Sequence, residues 1–156
     1  MSSAIEINKS PHEDIDVVRW NGFIDFVTQA NEEELSQVQR IAYIANWYNS
    51  EILNGGHLQY LYNLGYFDHN EVISALEELG AIDQCDVLRK VMEFHESAKI
   101  NMPTDHEKYI NWNEEYGYEV KIFEFDKQFY ECRPEIETEL LGDFVKQNEE
   151  NFIKWK

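Results

Sequence analysis

Cysteine is nearly absent. Only Cys85 and Cys132 occur in 156 residues, at no C-x-x-C spacing, which excludes a disulfide framework and a cysteine-based metal or redox motif. The two thiols read as reduced, small buried hydrophobes. Long apolar runs are missing as well, and none approaches the ~20 residues of a membrane-spanning helix. The N-terminal stretch carries Glu13, Asp14 and Asp16 with no apolar segment of signal-peptide type. Together these absences point to a cytoplasmic protein. Basic residues are scarce too: 13 Lys and Arg stand against 31 Asp and Glu, for a net charge of -18. Such a chain repels nucleic acid and anionic lipid and draws basic partners toward itself. The expectation is therefore no direct nucleic-acid contact and no membrane association.

Signatures of catalysis are also lacking. The five histidines stand at 12, 57, 69, 95 and 106, and no two are four residues apart with an acid between them, as a helical zinc site requires. There is no G-x-S-x-G, Walker or G-x-G-x-x-G element. The expectation is a protein that is not an enzyme and uses no metal or cofactor. A site built on Glu51 and His57 is a distant alternative.

What is present is helical periodicity and a substantial apolar fraction, 43% hydrophobic and 14% aromatic, too much for a disordered acidic tail. Strand signals are poor. Residues 13–29 carry Val17, Trp20, Ile24 and Val27. Residues 31–53 open on Asn31 with Glu34 three residues later, a capping arrangement, and repeat Leu35, Val38, Ile41, Ala42, Ala45, Tyr48 and Ile52 at helical spacing. A third helix opens at Asp68 with Glu71 and closes at Gly80. A fourth begins at Asp83 and runs toward Pro103. Asp105 caps a short helix ending near Trp112, and Glu114 to Gly117 reads as a turn. Two further helices follow over 119–132 and 135–154, with Pro134 favoured in the first turn of the last. No repeat, linker or low-complexity tract interrupts the chain. The expected fold is all-α, a single globular domain over 1–156 of roughly six to eight helices.

The stretch W-Y-N-S-E-I-L-N-G-G-H-L-Q-Y-L-Y-N-L-G-Y, Trp47 to Tyr66, concentrates polar side chains around a paired glycine. A phosphate cradle there is disfavoured, because no Lys or Arg lies between Arg40 and Arg89 and the surrounding field is negative. The residues fit a tight corner instead. Asn54-Gly55-Gly56 lets the chain turn, with Gly55 at the left-handed stop of the preceding helix. Gln59 and Asn63, one turn apart, are placed to hydrogen-bond the free backbone groups of the corner.

Glu51, Asn54, Gly55, Gly56, Gln59, Asn63 and Gly65, followed by Ala75-Leu76, Leu79 and Gly80-Ala81, resemble a bacterial DNA-mimic protein family, the "DNA mimic protein nineteen"-like domain of unknown function. The family core reads E-x-x-N-G-G-F-x-Q-[FY]-[FL]-x-N-x-x-G, with a later A-L-x-x-[IL]-G-A. Phe125-Asp126-Lys127-Gln128-Phe129-Tyr130 is similar to its D-x-x-[FY]-[YF] segment. The resemblance covers roughly residues 35–150. His57 departs from it, standing where the family has phenylalanine, and reads as an aromatic-to-imidazole exchange. The resemblance implies an all-α domain, homodimerisation and, for the member that names the family, occupation of a regulator's DNA-binding surface.

The charge suits that role. Duplex DNA carries one negative charge per ~1.7 Å of axis, so this chain matches the charge of about 30 Å of duplex. Candidate partner-binding carboxylates are Glu32, Glu33 and Glu34, Glu77 and Glu78, Glu114 and Glu115, and a helical row of Glu135, Glu139 and Asp143 at i, i+4 and i+8. The expected partner is a basic DNA-binding protein, a transcription regulator or nucleoid-type protein, whose access to DNA is blocked. An immunity or antitoxin role against a basic nuclease toxin is the alternative reading.

Overall fold

The computed structural model describes residues 2–156 and is dominated by helices. They are α1 (Ile15–Gln29), α2 (Gln37–Tyr62), α3 (His69–Leu79), α4 (Ile82–Ala98), α5 (His106–Tyr116), α6 (Tyr118–Glu131) and α7 (Gly142–Gln147). The all-α expectation holds. α2 is the central member, packing against α3, α6 and the segment Ile136–Leu141, while α4 packs on α3 and α6. The core includes Ile44, Tyr48, Ile52, Leu76, Leu88 and Ile122, each at most 1% exposed.

Two short strands depart from the sequence reading. β1 (Ile5–Ile7) and β2 (Ile153–Trp155) form a parallel pair that joins the two ends of the chain. Gly22 on α1 lets this pair sit close, since a Cβ there would fall 2.3 Å from Ile7 Cδ1. Phe152 sets its ring edge-on between Phe23 and Phe26. The expected helix over 135–154 is therefore corrected. Its regular part ends at Gln147, and the chain then turns to bury Phe152 and Ile153 against α1.

Other boundaries shift for local reasons. Asn31 caps only the three-residue turn Glu32–Glu34, through the Glu33 N–H. The long helix starts after Ser36, whose hydroxyl accepts from the Gln39 N–H while the Gln39 side chain accepts from the Ser36 N–H, a reciprocal capping box. The fully buried Gln39 also donates to the carbonyls of Ser2 and Asn151, tying both ends of the chain to α2. The expected turn at Glu114 to Gly117 is helical to Tyr116, whose ring stacks on Trp112 one turn earlier. Gly117, at φ 73°, stops that helix. The caps at Asp68 and Asp105 and the left-handed stop at Gly80 lie where the sequence places them.

Between α6 and α7, Ile136–Leu141 forms a π-helical segment, with the Leu140 N–H donating to the Glu135 carbonyl five residues back. The wider turn lets Ile136 and Leu141, five residues apart, both reach the core at no more than 2% exposure. Pro134 precedes the N-cap Glu135 rather than occupying a first turn.

Candidate functional site

The corner forms inside α2, and it is Gly56, not Gly55, that departs from helical geometry. Gly56 has φ 69° and ψ -167°, a combination essentially confined to glycine. A Cβ there would also lie 2.3 Å from Asp126 Oδ2. Gly55 keeps a negative φ, and its smallness serves space instead. A Cβ there would meet the Gln59 Cβ at 2.8 Å, because the turn at Gly56 folds the next residues back.

Behind the turn lies a buried polar chain. Asp126 Oδ1 accepts from the His57 backbone N–H at 2.8 Å and faces His57 Nδ1 at 2.6 Å. On the other side of the ring, His57 Nε2 lies 2.8 Å from the Tyr48 hydroxyl. With Nδ1–H donating to the carboxylate, Nε2 is free to accept the tyrosine proton. His57 and Tyr48 are both fully buried. Burial drives the Tyr48 phenol far above its ordinary value, so it stays protonated and donates. His57 is thus more than an aromatic filler. It links α2 to α6 through hydrogen bonds that phenylalanine could not make.

On the other side of the turn, Glu51 gathers the two amides. Gln59 donates to its Oε1 at 3.2 Å and Asn63 to its Oε2 at 2.6 Å. The amides therefore bind a carboxylate rather than the free backbone groups of the corner. Asn54 is exposed, and Gly65 has φ 105° with no atom within 4 Å of a would-be Cβ. Glu51 and His57 are not hydrogen-bonded to each other, each being held by its own partners. Among the described residues no three His, Cys, Asp or Glu side chains are grouped to hold a metal.

None of the candidate partner-binding carboxylates takes part in the hydrogen bonds of this corner. Glu32 accepts from the hydroxyls of Tyr43 and Tyr66. Burial and that carboxylate push the Tyr43 phenol up to about 12. Glu33 and Glu34 beside it are exposed. Glu77 pairs with Arg89, while Glu78 lines a groove with Arg40 and Glu71. Glu114 and Glu115 are exposed at the end of α5. The row Glu135, Glu139, Asp143 is not an α-helical row, because the π-helical turn changes its pitch. Glu139 Oε2 instead accepts from the Glu135 N–H at 2.6 Å, and Glu135 Oε2 accepts from the Thr138 hydroxyl at 2.7 Å.

The π-helical segment nevertheless brings acids together that the sequence leaves apart. A groove of about 340 Å³ between α1 and α7 is lined by Asp16, Trp20, Glu137, Thr138, Asp143 and Lys146, among others. A second, of about 120 Å³, lies between α2, α4 and α6 and shares Glu137 and Thr138 with the first. It also holds Glu135, Asn49 and Gln84. Sequence reasoning passed over Glu137, Asn49 and Gln84. The first is one glutamate among many, and nothing local marks a buried amide.

Neither the comparison with curated proteins nor that with solved structures finds a match. The model of the DMP19-like protein family matches residues 33–148, a span that includes the whole Glu51–Gly65 corner, Gly80, Asp126 and the π-helical segment. The chain belongs to the DMP19-like family.

Proposed function

We propose that this protein is a DNA mimic, a non-enzymatic acidic protein that occupies the DNA-binding surface of a basic protein. The carrying observation is the division of its polar residues. Family-motif residues such as Glu51, Gln59 and Asn63 are spent on one another inside the corner. Most of the 31 acids, against only 13 bases, are left to the surface, with Glu33, Glu34, Glu78, Glu114, Glu115, Glu135, Glu139 and Asp143 all exposed. His57 and Glu51, the residues an enzyme would use, are held by structural partners, and His57 has no solvent access.

The partner in this reading is a DNA-binding protein whose lysines and arginines normally neutralise phosphates. Homodimerisation, which doubles the charge presented to a two-fold partner, is supported by exposed apolar residues at the start of α6: Val120 is 65% and Phe123 50% exposed. No helix among the described residues is long and apolar enough to cross a membrane.

The test is a titration against the captured partner with labelled operator DNA as competitor. Mutual exclusion of protein and DNA, weakening as salt screens the exposed charges, is the expected result. Simultaneous binding without interference overturns the proposal. Capture of a nuclease whose cleavage is blocked would favour the immunity reading instead.

A further inference from the structure

Three segments of the chain meet at Tyr66, in the loop between α2 and α3. Trp47 on α2 stacks along the Tyr66 ring, with centroids 5.5 Å apart and planes at 19°. Phe67 meets the same ring edge-on at 5.0 Å. The Tyr66 hydroxyl donates to Glu32 Oε1, which also accepts from the Tyr43 hydroxyl. The bond to that carboxylate raises the Tyr66 phenol above its ordinary value, so the ring stays neutral and keeps donating. Despite these three supports Tyr66 is 59% exposed, and with Trp47 on one face the opposite face is left to solvent. Tyr62, one turn earlier, is 90% exposed and has none of them, since Trp47, Phe67 and Glu32 engage Tyr66 instead. A ring already held in place costs a partner little ordering entropy, and tyrosine is enriched among the residues that dominate binding at interfaces.

The charge around the ring selects the ligand. Glu33 and Glu34 follow Glu32 in one turn, and both are exposed. A basic side chain of the protein itself shows which cation the aromatic cluster accepts. The Arg40 guanidinium lies 5.6 Å from the Phe67 ring centre and pairs with Glu71. One guanidinium is thus already seated on this cluster with its charge met by a carboxylate, which leaves the three glutamates of the turn in excess. A cation over the open Tyr66 face gains from the ring quadrupole and from that excess. Guanidinium suits the place better than ammonium. It is planar and weakly hydrated, and it stacks on a ring while its N–H groups reach a carboxylate at the edge. An ammonium is a compact, strongly hydrated point charge.

We propose that the open face of Tyr66 is an anchor for an arginine side chain of the partner. The guanidinium stacks on the ring, and the carboxylates of the Glu32–Glu34 turn meet its charge. The inference rests on the reading that the partner is a basic protein. It adds that arginine, and not positive charge alone, is recognised, at one fixed ring between α2 and α3.

The anchor can be tested without the partner, so its failure is distinct from failure of DNA competition. Two blocked tripeptides of equal charge, acetyl-glycyl-arginyl-glycinamide and acetyl-glycyl-lysyl-glycinamide, are titrated into protein isotope-labelled on its aromatic side chains. The arginine peptide should shift the Tyr66 ring and Trp47 indole signals in a saturable way. It should bind there about two- to fivefold more tightly than the lysine peptide, the range of an exposed cation–π contact. The Tyr62 signals should not follow. Tyr66→Leu should erase the preference for arginine. Glu32→Gln, which keeps the ring, should weaken the arginine peptide at Tyr66 several-fold, and it decides the matter should Tyr66→Leu fail to fold. Four outcomes overturn the proposal: no saturable shift at Tyr66, equal or tighter binding of the lysine peptide there, Tyr62 shifts that match those of Tyr66, or undiminished arginine binding in a folded variant.

Discussion

The corner at Gly56 and the π-helical segment at Ile136–Leu141 are both interruptions of helix, and both are rich in polar side chains. They differ in where those side chains find partners. At the corner Asp126, His57 and Tyr48 form one chain, and Glu51, Gln59 and Asn63 another. At the π-helical segment Gln84 Oε1 has no partner, while Glu135 and Glu139, held only by Arg133, Thr138 and the Glu135 N–H, are exposed together with Asp143. A polar cluster that satisfies itself stiffens a fold, because each buried group would be costly to free. A cluster that leaves acceptors unused has something to offer a ligand. Polar residues near a backbone irregularity are not by themselves a binding site, and their internal hydrogen bonds separate the two cases.

The largest break in this contrast should come from Gly56→Val. It combines a forbidden backbone conformation with a Cβ collision against Asp126, so a loss of roughly 4 kcal/mol or more, or failure to fold, is expected in a thermal or denaturant melt. Gly55→Ala should cost less, because its backbone is helical and only the packing against Gln59 must give.

His57→Phe comes next. The sequence reading takes His57 as an aromatic-to-imidazole exchange, but in the structure the imidazole holds both Asp126 and Tyr48. The change leaves the Tyr48 hydroxyl without a partner at full burial and removes one of the bonds to Asp126, for a loss of roughly 2–4 kcal/mol. An unchanged melting midpoint would show that the buried chain contributes nothing.

On the other side of the comparison, the combined change Glu135→Gln, Glu139→Gln and Asp143→Asn should move stability by no more than about 1 kcal/mol, since these charges are exposed and exposed charges contribute little. Partner association should nevertheless slow. A large stability loss with unaltered partner binding would invert the contrast drawn between the two regions.

The smallest expected effect is on pH dependence. Burial holds the imidazoles of His69 and His95 below their ordinary value of 6.5, each beside a tyrosine hydroxyl. The unfolded chain therefore binds more protons than the folded one just below pH 6.5, and stability falls as pH drops through that window. Replacing both histidines with glutamine should flatten the slope between pH 7 and 5.5 in denaturant melts. Glu149, held low against the cost of its burial by Arg19 and Trp155, acts in a separate and more acidic window. Its stabilisation is present above the usual carboxylate range and is lost as pH falls below it.

Much of the architecture was legible one residue at a time. Asp68, Gly80 and Asp105 act on backbone within a few positions of themselves, so their caps and stops can be read from spacing alone. The family-motif spacing around Gly55-Gly56 likewise marks a corner. The errors arose where a distant partner outweighs a local signal. Asn31 is a good cap, but Gln39 is drawn to Ser36 by its additional bonds to Ser2 and Asn151. Residues 135–154 carry helical periodicity, but Phe152 gains more by packing on Phe23 and Phe26 than by extending α7.

The sequence by itself determined the helical class, the excess of negative charge and the need for glycine at the corner, because composition, periodicity and backbone freedom are properties of the chain. Tertiary structure decided which polar groups would be satisfied. Asp126 lies 69 positions from His57, and Gln84 lies 50 from the carbonyl that holds it. No spacing rule reaches across such separations. Whether a buried amide finds a donor depends on how α2, α4, α6 and the π-helical segment pack, so the difference between a satisfied corner and an unpaired Gln84 acceptor exists only in the folded molecule.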